Sequence, residues 1–436
     1  MSRRVAAAGC LSATAALLLL PGRWYLLAWL PFLAGAWQVL RLDRRAALAL
    51  IVAGGVLLPL VAARQPPTSS DDMYRYVWDG RVQLAAVDPY RYPPSAPELA
   101  PLRDDFLWPA TANWCLPTGC TRINRPTVPT IYPPVAETLF AGVVAVSPAG
   151  ARERPMQLTM AAIAAGVGLL LWYILGRLGH DPRRAVLWAW CPLVALEAGN
   201  NAHVDVVAAA LAAAALWQLA AHPGTRRAVA GGVLLGLAVA TKLTPALLGP
   251  ALLRRRPVAV AVSAAAAITA VYLPHVVAAG PAVLGYLPGY LHEEGYADGA
   301  RFALLGAVLP APLATPAAAL VLTALALLAW RTADPARPWV AAAVVVGGAL
   351  LVTTPSYPWY AMLLVMLVAY GAPAEWLAVA AAGYLAQFAP DLGLTAHTGQ
   401  LLGYTTGLAA VLAGLAVRRA REPAGAAPLP GWVTEP

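Results

Sequence analysis

Long apolar segments recur along nearly the whole chain, and they limit its fold more than any other feature. Hydrophobic residues make up 60% of the sequence and charged residues only 12%, whereas soluble domains carry about 25% charge. Because a helix needs about 20 residues to cross a bilayer, this pattern predicts an all-α, polytopic membrane protein. The candidate spans are residues 5–21, 23–40, 46–63, 155–175, 185–200, 205–221, 257–274, 312–330, 338–353, 358–372, 374–389 and 399–417.

We expect one transmembrane domain over residues 1–423, followed by a cytoplasmic tail of residues 424–436. The Pro and Gly content of this tail predicts disorder. The first apolar run follows Arg3 and Arg4, and a second run follows it without an obvious small-residue cleavage site. We therefore interpret the first run as an uncleaved span and not as a signal peptide.

Residues 229–253 form a further apolar stretch, interrupted by Thr241-Lys242-Leu243-Thr244-Pro245. The stretch is too short for two full spans and long for one, so we predict a broken or re-entrant pair of half-helices. Irregular backbone at membrane depth is tolerated only where it lines a cavity or is buried in protein. With this pair, the chain is expected to have about 12 to 14 transmembrane helices.

The basic residues predict an orientation. If the N-terminus is cytoplasmic and the broken stretch is a hairpin, nearly every basic cluster falls on the cytoplasmic side, in agreement with the positive-inside rule. These clusters are Arg41 to Arg45, Arg177 to Arg184, Arg226-Arg227, Arg254 to Arg256, Arg331 to Arg337 and Arg418 to Arg421. Only Arg152 to Arg154 remain outside. The net charge of +9 therefore requires no nucleic-acid partner.

The same orientation places the polar residues of the apolar regions on the extracytoplasmic side. They are Asp71-Asp72, His203, Asp205, Lys242, residues 286–302, Thr354 to Tyr360 and His397. Charged side chains are costly near a bilayer and tend to serve a function there. We therefore predict a cavity in the outer half of the membrane, lined by carboxylates, imidazoles and a lysine. His292-Glu293-Glu294, in an outer loop, is expected to be a mobile, solvated charge cluster and not a catalytic one.

Residues 64–154 form the largest polar segment and the expected first extracytoplasmic loop. Inside it, the apolar residues 135–146 are too few to span, so we predict a helix lying in the membrane interface. Cys115 and Cys120 share this loop and can pair if it faces an oxidising compartment. Cys10 and Cys191 lie in apolar runs and are expected to be inert.

The acidic pair Asp71-Asp72 lies where an apolar run leaves the membrane. One interpretation is a helix cap, because Asp favours the first turn of a helix. A cap alone does not require the neighbouring Arg75 and Trp78, and these favour a functional site. Adjacent residues on a helix point about 100° apart, so the two carboxylates cannot make the same contact.

The order of these motifs resembles the GT-C glycosyltransferases, which are polytopic membrane enzymes. The motifs are Asp71-Asp72, Tyr132-Pro133-Pro134, Leu175-Gly176-Arg177, His203-x-Asp205, the segment Gly236 to Lys242, and Tyr357-Pro358-Trp359-Tyr360. The string from Asp72 to Tyr92 is most similar to actinobacterial polyprenyl-phosphomannose-dependent mannosyltransferases. The chain departs from many members in having three spans, and not one, before the acidic loop.

This resemblance implies a GT-C helical bundle that transfers a sugar, with inversion, from a polyprenyl-phosphate donor to a lipid or glycan acceptor. The sugar implied is mannose, the implied face is extracytoplasmic, and neither a cofactor nor an essential metal is expected. Asp71 is the implied catalytic base, and Asp72 orients it or the acceptor. The implied substrate-binding residues are Arg75, Tyr76, Tyr132, His203, Asp205, Lys242, Tyr357 and Trp359.

Several residues have alternative interpretations. Lys242 and Arg75 or Arg152 are the candidate cations for a departing phosphate, and Lys242 can alternatively be a snorkelling anchor. Tyr357 and Trp359 can be interfacial anchors. His203 and Asp205 can ligate a metal with Asp71. For the whole protein, the rival function is a transporter or flippase for a lipid-linked envelope precursor, since many spans and a broken helix also describe transporters. A third interpretation, an envelope-assembly scaffold, predicts that the acidic residues are dispensable.

Overall fold

The computed structural model describes residues 2–20, 22–221 and 224–421. The predicted all-α fold is confirmed, since the described residues are mostly helical and their strands form a single two-stranded hairpin. The predicted disordered tail, residues 424–436, lies outside the described residues.

Four helices precede the large loop. The first packs against the third and fourth, and the Asp43 carboxylate caps the fourth by accepting a hydrogen bond from the Ala46 amide. They are α1 (Arg3–Leu18), α2 (Trp24–Leu27), α3 (Trp29–Val39) and α4 (Arg44–Ala62).

The large loop contains two helices that pack against each other and a disulfide-linked hairpin. Gly80 permits the close approach of the helices, because a Cβ there would lie 2.6 Å from the Phe140 carbonyl oxygen. Cys115 and Cys120 face each other in the hairpin and form a disulfide. The elements are α5 (Asp72–Leu84), a 3₁₀ helix (Pro97–Leu102), β1 (Trp114–Leu116), β2 (Gly119–Thr121) and α6 (Pro134–Val146). The predicted short helix over residues 135–146 is thus present as α6.

The middle of the chain alternates long helices with short, irregular ones. Its elements are α7 (Arg154–Arg177), a 3₁₀ helix (Pro182–Ala185), α8 (Val186–Ala189), α9 (Pro192–Val194), a π helix (Ala195–Asn200), α10 (Asp205–Ala221), α11 (Thr225–Val239), a 3₁₀ helix (Thr244–Leu248) and α12 (Gly249–Leu252). The predicted span 185–200 is therefore not one helix. Pro192 cannot continue the helical hydrogen bonding of the preceding turn, and this segment is wholly buried within the bundle.

The predicted break at Lys242 is present. Helix α11 ends at Val239, and the chain continues as a turn before the next short helices. The buried Ala240 carbonyl at this break has no helical partner and accepts a hydrogen bond of 2.9 Å from the Val135 amide at the start of α6. The break therefore joins the membrane part of the protein to the large loop, as expected of irregular backbone that is satisfied by protein.

The last part of the chain completes the bundle around α18, whose side chains are all buried. Its elements are α13 (Pro257–Ala279), a 3₁₀ helix (Gly280–Leu284), α14 (Leu287–Glu293), α15 (Ala303–Gly306), α16 (Ala311–Thr332), α17 (Pro338–Thr353), a 3₁₀ helix (Pro358–Ala361), α18 (Met362–Tyr370), α19 (Trp376–Gln387), a 3₁₀ helix (Pro390–Leu392) and α20 (Ala396–Arg421).

Five helical segments of the described chain are long and apolar enough to cross a membrane. They are Arg44–Ala62, Arg154–Arg177, Pro257–Glu293, Ala311–Thr332 and Ala396–Arg421. Most of the other predicted spans correspond to shorter or interrupted helices, among them α1, α10, α17 and α19. Interior helices can be shorter than a bilayer is thick, because the protein around them satisfies their polar ends.

The two predicted sets of polar residues lie at opposite ends of the bundle. Helix α10 begins with Asp205, whose carboxylate contacts Lys242, and ends beside Arg177 and Arg227.

We predict that the end carrying the large loop is extracytoplasmic. In a chain with Cys10 and Cys191 replaced, Glu98→Cys should react with an impermeant thiol reagent added to intact cells, whereas Thr225→Cys should react only after permeabilisation. The reverse pattern would contradict this orientation.

Candidate active site

The segment that leads from α4 to the acidic pair is held by buried side-chain amides. The Asn200 Oδ1 atom accepts hydrogen bonds from the Thr68 amide at 2.9 Å and the Thr68 hydroxyl at 2.7 Å. Its Nδ2 atom lies within 3.2 Å of the carbonyl oxygens of Ala62, Gln65 and Pro66. Asn200 therefore replaces the hydrogen bonds that the backbone loses where α4 ends.

Three further amides extend this network. Asn201 contacts the Ser69 amide and hydroxyl, at 3.3 and 2.7 Å. Gln387 donates to the Ser69 carbonyl at 2.8 Å, and Gln157 donates to the Gln65 and Asn200 carbonyls. Side chains from α7, from the turn before α10 and from α19 thus determine where the chain enters α5, which begins directly after Asp71.

A cavity of about 810 Å³ opens beside this entry point. Seven of the ten predicted site residues line it: Asp71, Asp72, Arg75, Tyr132, Lys242, Tyr357 and Trp359. The other three lie one layer behind its wall. Tyr76 and His203 have no exposed surface, and Asp205 is 5% exposed. The structure therefore brings together residues from the large loop, the α11–α12 break and the segment before α18.

The two adjacent carboxylates have different surroundings. Asp72 accepts a hydrogen bond of 2.6 Å from Asn124 and lies 3.6 Å from the His203 Nδ1 atom. Asp71 has only long contacts of 3.4 to 3.5 Å with Trp114 and Asn113, and it makes no capping hydrogen bond to α5. Asp72 is therefore held in place by its neighbours, whereas the Asp71 carboxylate is open to the cavity.

His203 connects the acidic pair with the interior of the bundle. Its Nε2 atom lies 3.4 Å from Glu197, which accepts hydrogen bonds from Tyr384 at 2.7 Å and Asn201 at 2.9 Å. Burial lowers the pKa of His203 to about 3; the Asp72 charge opposes this shift and the Lys242 charge adds to it. The imidazole is thus neutral at pH 7.

The His203 ring also supports the aromatic wall of the cavity. It stacks on Trp359 with 4.0 Å between ring centroids, and Trp359 stacks in turn on Tyr357 at 4.8 Å. Such a stack presents a flat aromatic surface with little conformational freedom. The interpretation of Tyr357 and Trp359 as simple interfacial anchors does not account for the stacking of both rings in series on the buried His203 ring.

Lys242 has both a carboxylate and aromatic neighbours. Its Nζ atom lies 3.3 Å from the Asp205 Oδ2 atom, and it lies 5.6 and 5.8 Å from the ring centroids of Tyr132 and Tyr360. Aromatic faces at this distance attract a cation. The ammonium therefore remains at the cavity and does not extend to a distant interface, which favours a site residue over a snorkelling anchor.

A buried ion pair supports the wall formed by the large loop. The Arg75 Nε atom contacts both oxygens of Asp79, at 2.9 and 3.0 Å, and its Nη1 atom donates to the Val128 carbonyl. Its Nη2 atom is buried without a hydrogen-bond partner among the described residues. Arg75 lines the cavity, so this unpaired donor belongs to a residue of the cavity wall.

The second outer segment closes one side of the cavity, and its charged residues are not what we predicted. Glu293 pairs with Arg125 at 2.6 Å, and Glu294 is buried in an ion pair with Arg301. The prediction of a mobile, solvated cluster is therefore wrong for Glu294, which is buried against an arginine seven residues further along the chain, whereas Glu293 stays exposed and pairs with the distant Arg125. Only His292 is exposed without such a partner in the described structure.

Arg125 is a cavity residue that sequence reasoning missed. It lines the cavity beside Glu293 and Tyr290, and its only signal in the sequence is a basic residue within a Pro-rich passage. Arg152, considered above as a cation for a phosphate, lines a separate small cleft instead. No group of three or more His, Cys, Asp or Glu side chains in the described residues is arranged to hold a metal ion.

The amide network predicts a stability defect. Asn200→Ala should lower the thermal stability of the purified protein, since each buried polar group left unsatisfied costs about 1–3 kcal/mol. Asn113→Ala, at an exposed amide of the cavity mouth, is the matched control and should unfold like the wild type. Equal melting temperatures for Asn200→Ala and Asn113→Ala would show that the network is not needed for stability.

The buried imidazole predicts a pH dependence. Because the pKa of His203 is lower in the folded state than the usual 6.5, the unfolded state binds more protons between these values, and stability falls as the pH falls through this range. Between about pH 7.5 and about pH 5.5, the melting temperature of the wild type should fall more than that of His203→Gln. The same decline in both proteins would contradict a contribution from His203.

Two solved structures of the Archaeoglobus fulgidus oligosaccharyltransferase share 15% identity with the chain at a TM-score of 0.35. For the apo enzyme, the similarity covers 86% of this chain and 51% of the enzyme. For the enzyme in complex with an inhibitory peptide and a dolichol-phosphate, it covers 88% of this chain and 52% of the enzyme. The chain thus spans about half the length of these structures.

A search of curated proteins finds no match. Residues 3–255, more than half of the chain, match the family described as "Alpha-(1->6)-mannopyranosyltransferase, N-terminal domain". The match contains the acidic pair, His203, Asp205 and Lys242, and it confirms the resemblance to mannosyltransferases that the motifs indicated. The chain belongs to the alpha-(1->6)-mannopyranosyltransferase family.

Proposed function

We propose that this membrane glycosyltransferase transfers mannose from a polyprenyl-phosphate donor to a lipid or glycan acceptor at the extracytoplasmic face. The observation that carries the proposal is the single cavity that gathers an open carboxylate, several cations and a rigid aromatic wall from distant parts of the chain. Such a cavity provides a base, a phosphate environment and a sugar platform, which are the three elements that this transfer requires.

Asp71 is the proposed base. It takes the proton of the acceptor hydroxyl while that oxygen bonds to the anomeric carbon of the donor sugar and the carbon–phosphate oxygen bond breaks, which inverts the configuration. A carboxylate suits this role because the proton leaves late, after the bond to carbon has begun to form. The open position of Asp71 and the fixed position of Asp72 support this assignment, with Asp72 orienting the acceptor.

The departing polyprenyl phosphate is proposed to contact Lys242, Arg125 and the free Nη2 atom of Arg75. Each of these cations already has a carboxylate partner, which is Asp205, Glu293 or Asp79. A phosphate can therefore enter by replacing an exposed partner such as Glu293, without leaving a buried charge unpaired in the empty site. Charge-assisted hydrogen bonds to phosphate are roughly twice as strong as hydrogen bonds between neutral groups.

The sugars are proposed to lie against Tyr357 and Trp359. Their stack on His203 fixes the aromatic surface and so lowers the entropy cost of ordering it around a ligand. His203 and Tyr76 then act behind the wall as supporting residues, in place of the direct substrate contacts that the motif resemblance implied.

Catalysis can be tested with purified protein, labelled polyprenyl-phosphate mannose and an envelope glycolipid acceptor. Asp71→Asn should fold normally. Its transfer rate should be about 10²- to 10⁴-fold lower than that of the wild type, which is the usual contribution of a general base. Asp72→Asn should be intermediate. Asp105→Asn, an exposed loop carboxylate outside the cavity, is the matched control and should be fully active.

The possible results separate the hypotheses. An inactive Asp72→Asn with a fully active Asp71→Asn would assign the base to Asp72. Activity of both variants at the wild-type rate would exclude this mechanism. Movement of the labelled lipid across a membrane without a new glycosidic bond would instead support the transporter or flippase alternative.

A further inference from the structure

A second cavity, of about 600 Å³, lies at the other end of the bundle. It forms where α7 and α10 end and where α11 and α17 begin. Of the nine described residues that line it, the ionisable ones are Arg177, His180, Arg227 and Arg337, and none is acidic. We call this cavity the basic cleft. Trp217, which also lines it, lies twelve residues after Asp205 on α10, or about 18 Å along the helix axis.

The positive charge of the basic cleft is only partly balanced. Arg337 pairs with Asp334 at 3.2 Å, whereas Arg227 contacts the uncharged Gln218 at 3.4 Å. Within the described residues, neither Arg177 nor Arg227 has an acidic partner. Two guanidinium groups without a counter-charge in one cleft repel each other unless an anion is present.

Partial burial of His180 supports the same conclusion. Burial lowers the pKa of its imidazole, and the charges of Arg337 and Arg184 lower it further. A neutral His180 can donate one hydrogen bond without adding to the repulsion. The basic cleft therefore offers an anion two unpaired guanidinium groups and a neutral donor.

Membrane orientation alone does not explain this arrangement. Basic residues at helix ends orient a membrane protein wherever they lie on the cytoplasmic side, so they need not converge. Here three separate parts of the chain, around residues 177–180, 227 and 337, bring their cations to one cavity. Convergence on a cavity is the feature expected of a binding site for an anionic group.

The surroundings of the basic cleft point to a lipid. Trp217 packs edge-on against Tyr173, with 5.6 Å between ring centroids, and Tyr173 is 49% exposed on the outer surface of α7. Tyr173 lies one helical turn before Arg177. Amphipathic aromatic rings of this kind prefer the level of the lipid headgroups.

We propose that the basic cleft binds the phosphate of an anionic phospholipid, whose acyl chains lie along Tyr173 and Trp217. Arg177 and Arg227 form charge-assisted hydrogen bonds to the phosphate oxygens, and His180 donates another. Basic pockets between transmembrane helices are known to bind such headgroups. This site is separate from the acidic cavity and does not depend on the proposed transfer reaction.

The test is a titration of the full-length protein in detergent with short-chain phosphatidylglycerol, with short-chain phosphatidylcholine as the neutral lipid. The wild type should bind phosphatidylglycerol and not phosphatidylcholine. The double variant Arg177→Gln/Arg227→Gln should bind phosphatidylglycerol about 25-fold more weakly, given about a fivefold contribution from each basic residue. Monodispersity and an unchanged melting temperature in lipid-free detergent show that the variant folds.

Arg255→Gln/Arg331→Gln is the matched control. It removes the same charge from two exposed arginines outside the basic cleft and should bind like the wild type. Equal weakening by both double variants would assign the binding to general surface charge. Displacement of phosphatidylglycerol by an equal concentration of inorganic phosphate would assign the cleft to a free anion, and either result would overturn the proposal.

Discussion

The hydrogen bonds from Asn200 and Asn201 to the chain after α4 are the interaction on which the rest of the site depends. A backbone that leaves a helix inside a membrane protein has carbonyl and amide groups with no partner, and the protein must satisfy them. Here the two asparagines satisfy the groups from Ala62 to Ser69. Because their own turn leads directly to His203 and Asp205, one set of contacts positions both the acidic pair and its neighbours.

The chain around these asparagines is itself unusual. It forms a π helix from Ala195 to Asn200, and Ala202 has the positive φ angle of 55° that a residue with a side chain rarely adopts. Helix α4 approaches closely, since a Cβ at Gly199 would lie 2.4 Å from the Pro59 carbonyl. Strained backbone of this kind persists where the surrounding packing determines it, and it is concentrated at functional sites.

Each cation that lines the cavity in the described structure has a carboxylate partner, which lies one helical turn away for Arg75 and in another part of the chain for Lys242 and Arg125. This pairing limits the cost of burying charge in the empty site. The pairs differ in exposure: Arg75 and Asp79 are buried, whereas Glu293 beside Arg125 is 43% exposed. The inner pair is suited to maintaining the wall, and the outer pair to exchanging its partner for a ligand.

The sequence predicted the fold class, the large loop, the helix break at Lys242 and seven of the residues that line the cavity. These features depend on local properties, namely the length of apolar runs, the effect of proline and the cost of charge near a bilayer. The prediction of one continuous helix at 185–200 was wrong, because an apolar run does not distinguish a long helix from several short buried ones. The ion pair of Glu293 was not predicted because its partner is distant, with 168 residues separating Arg125 from Glu293. The burial of Glu294 with Arg301 was not predicted because it depends on how this segment packs against the bundle.

The sequence by itself thus determined that the chain is an all-α membrane protein with an acidic pair at the start of its large loop. Only the tertiary structure decided that Asp72 is fixed while Asp71 is open, that His203 lies behind Trp359, and that Arg125 belongs to the cavity. The physical reason is that these outcomes depend on side-chain directions and on contacts between helices. Such contacts are set by the packing of the whole bundle, which no local pattern of residues contains.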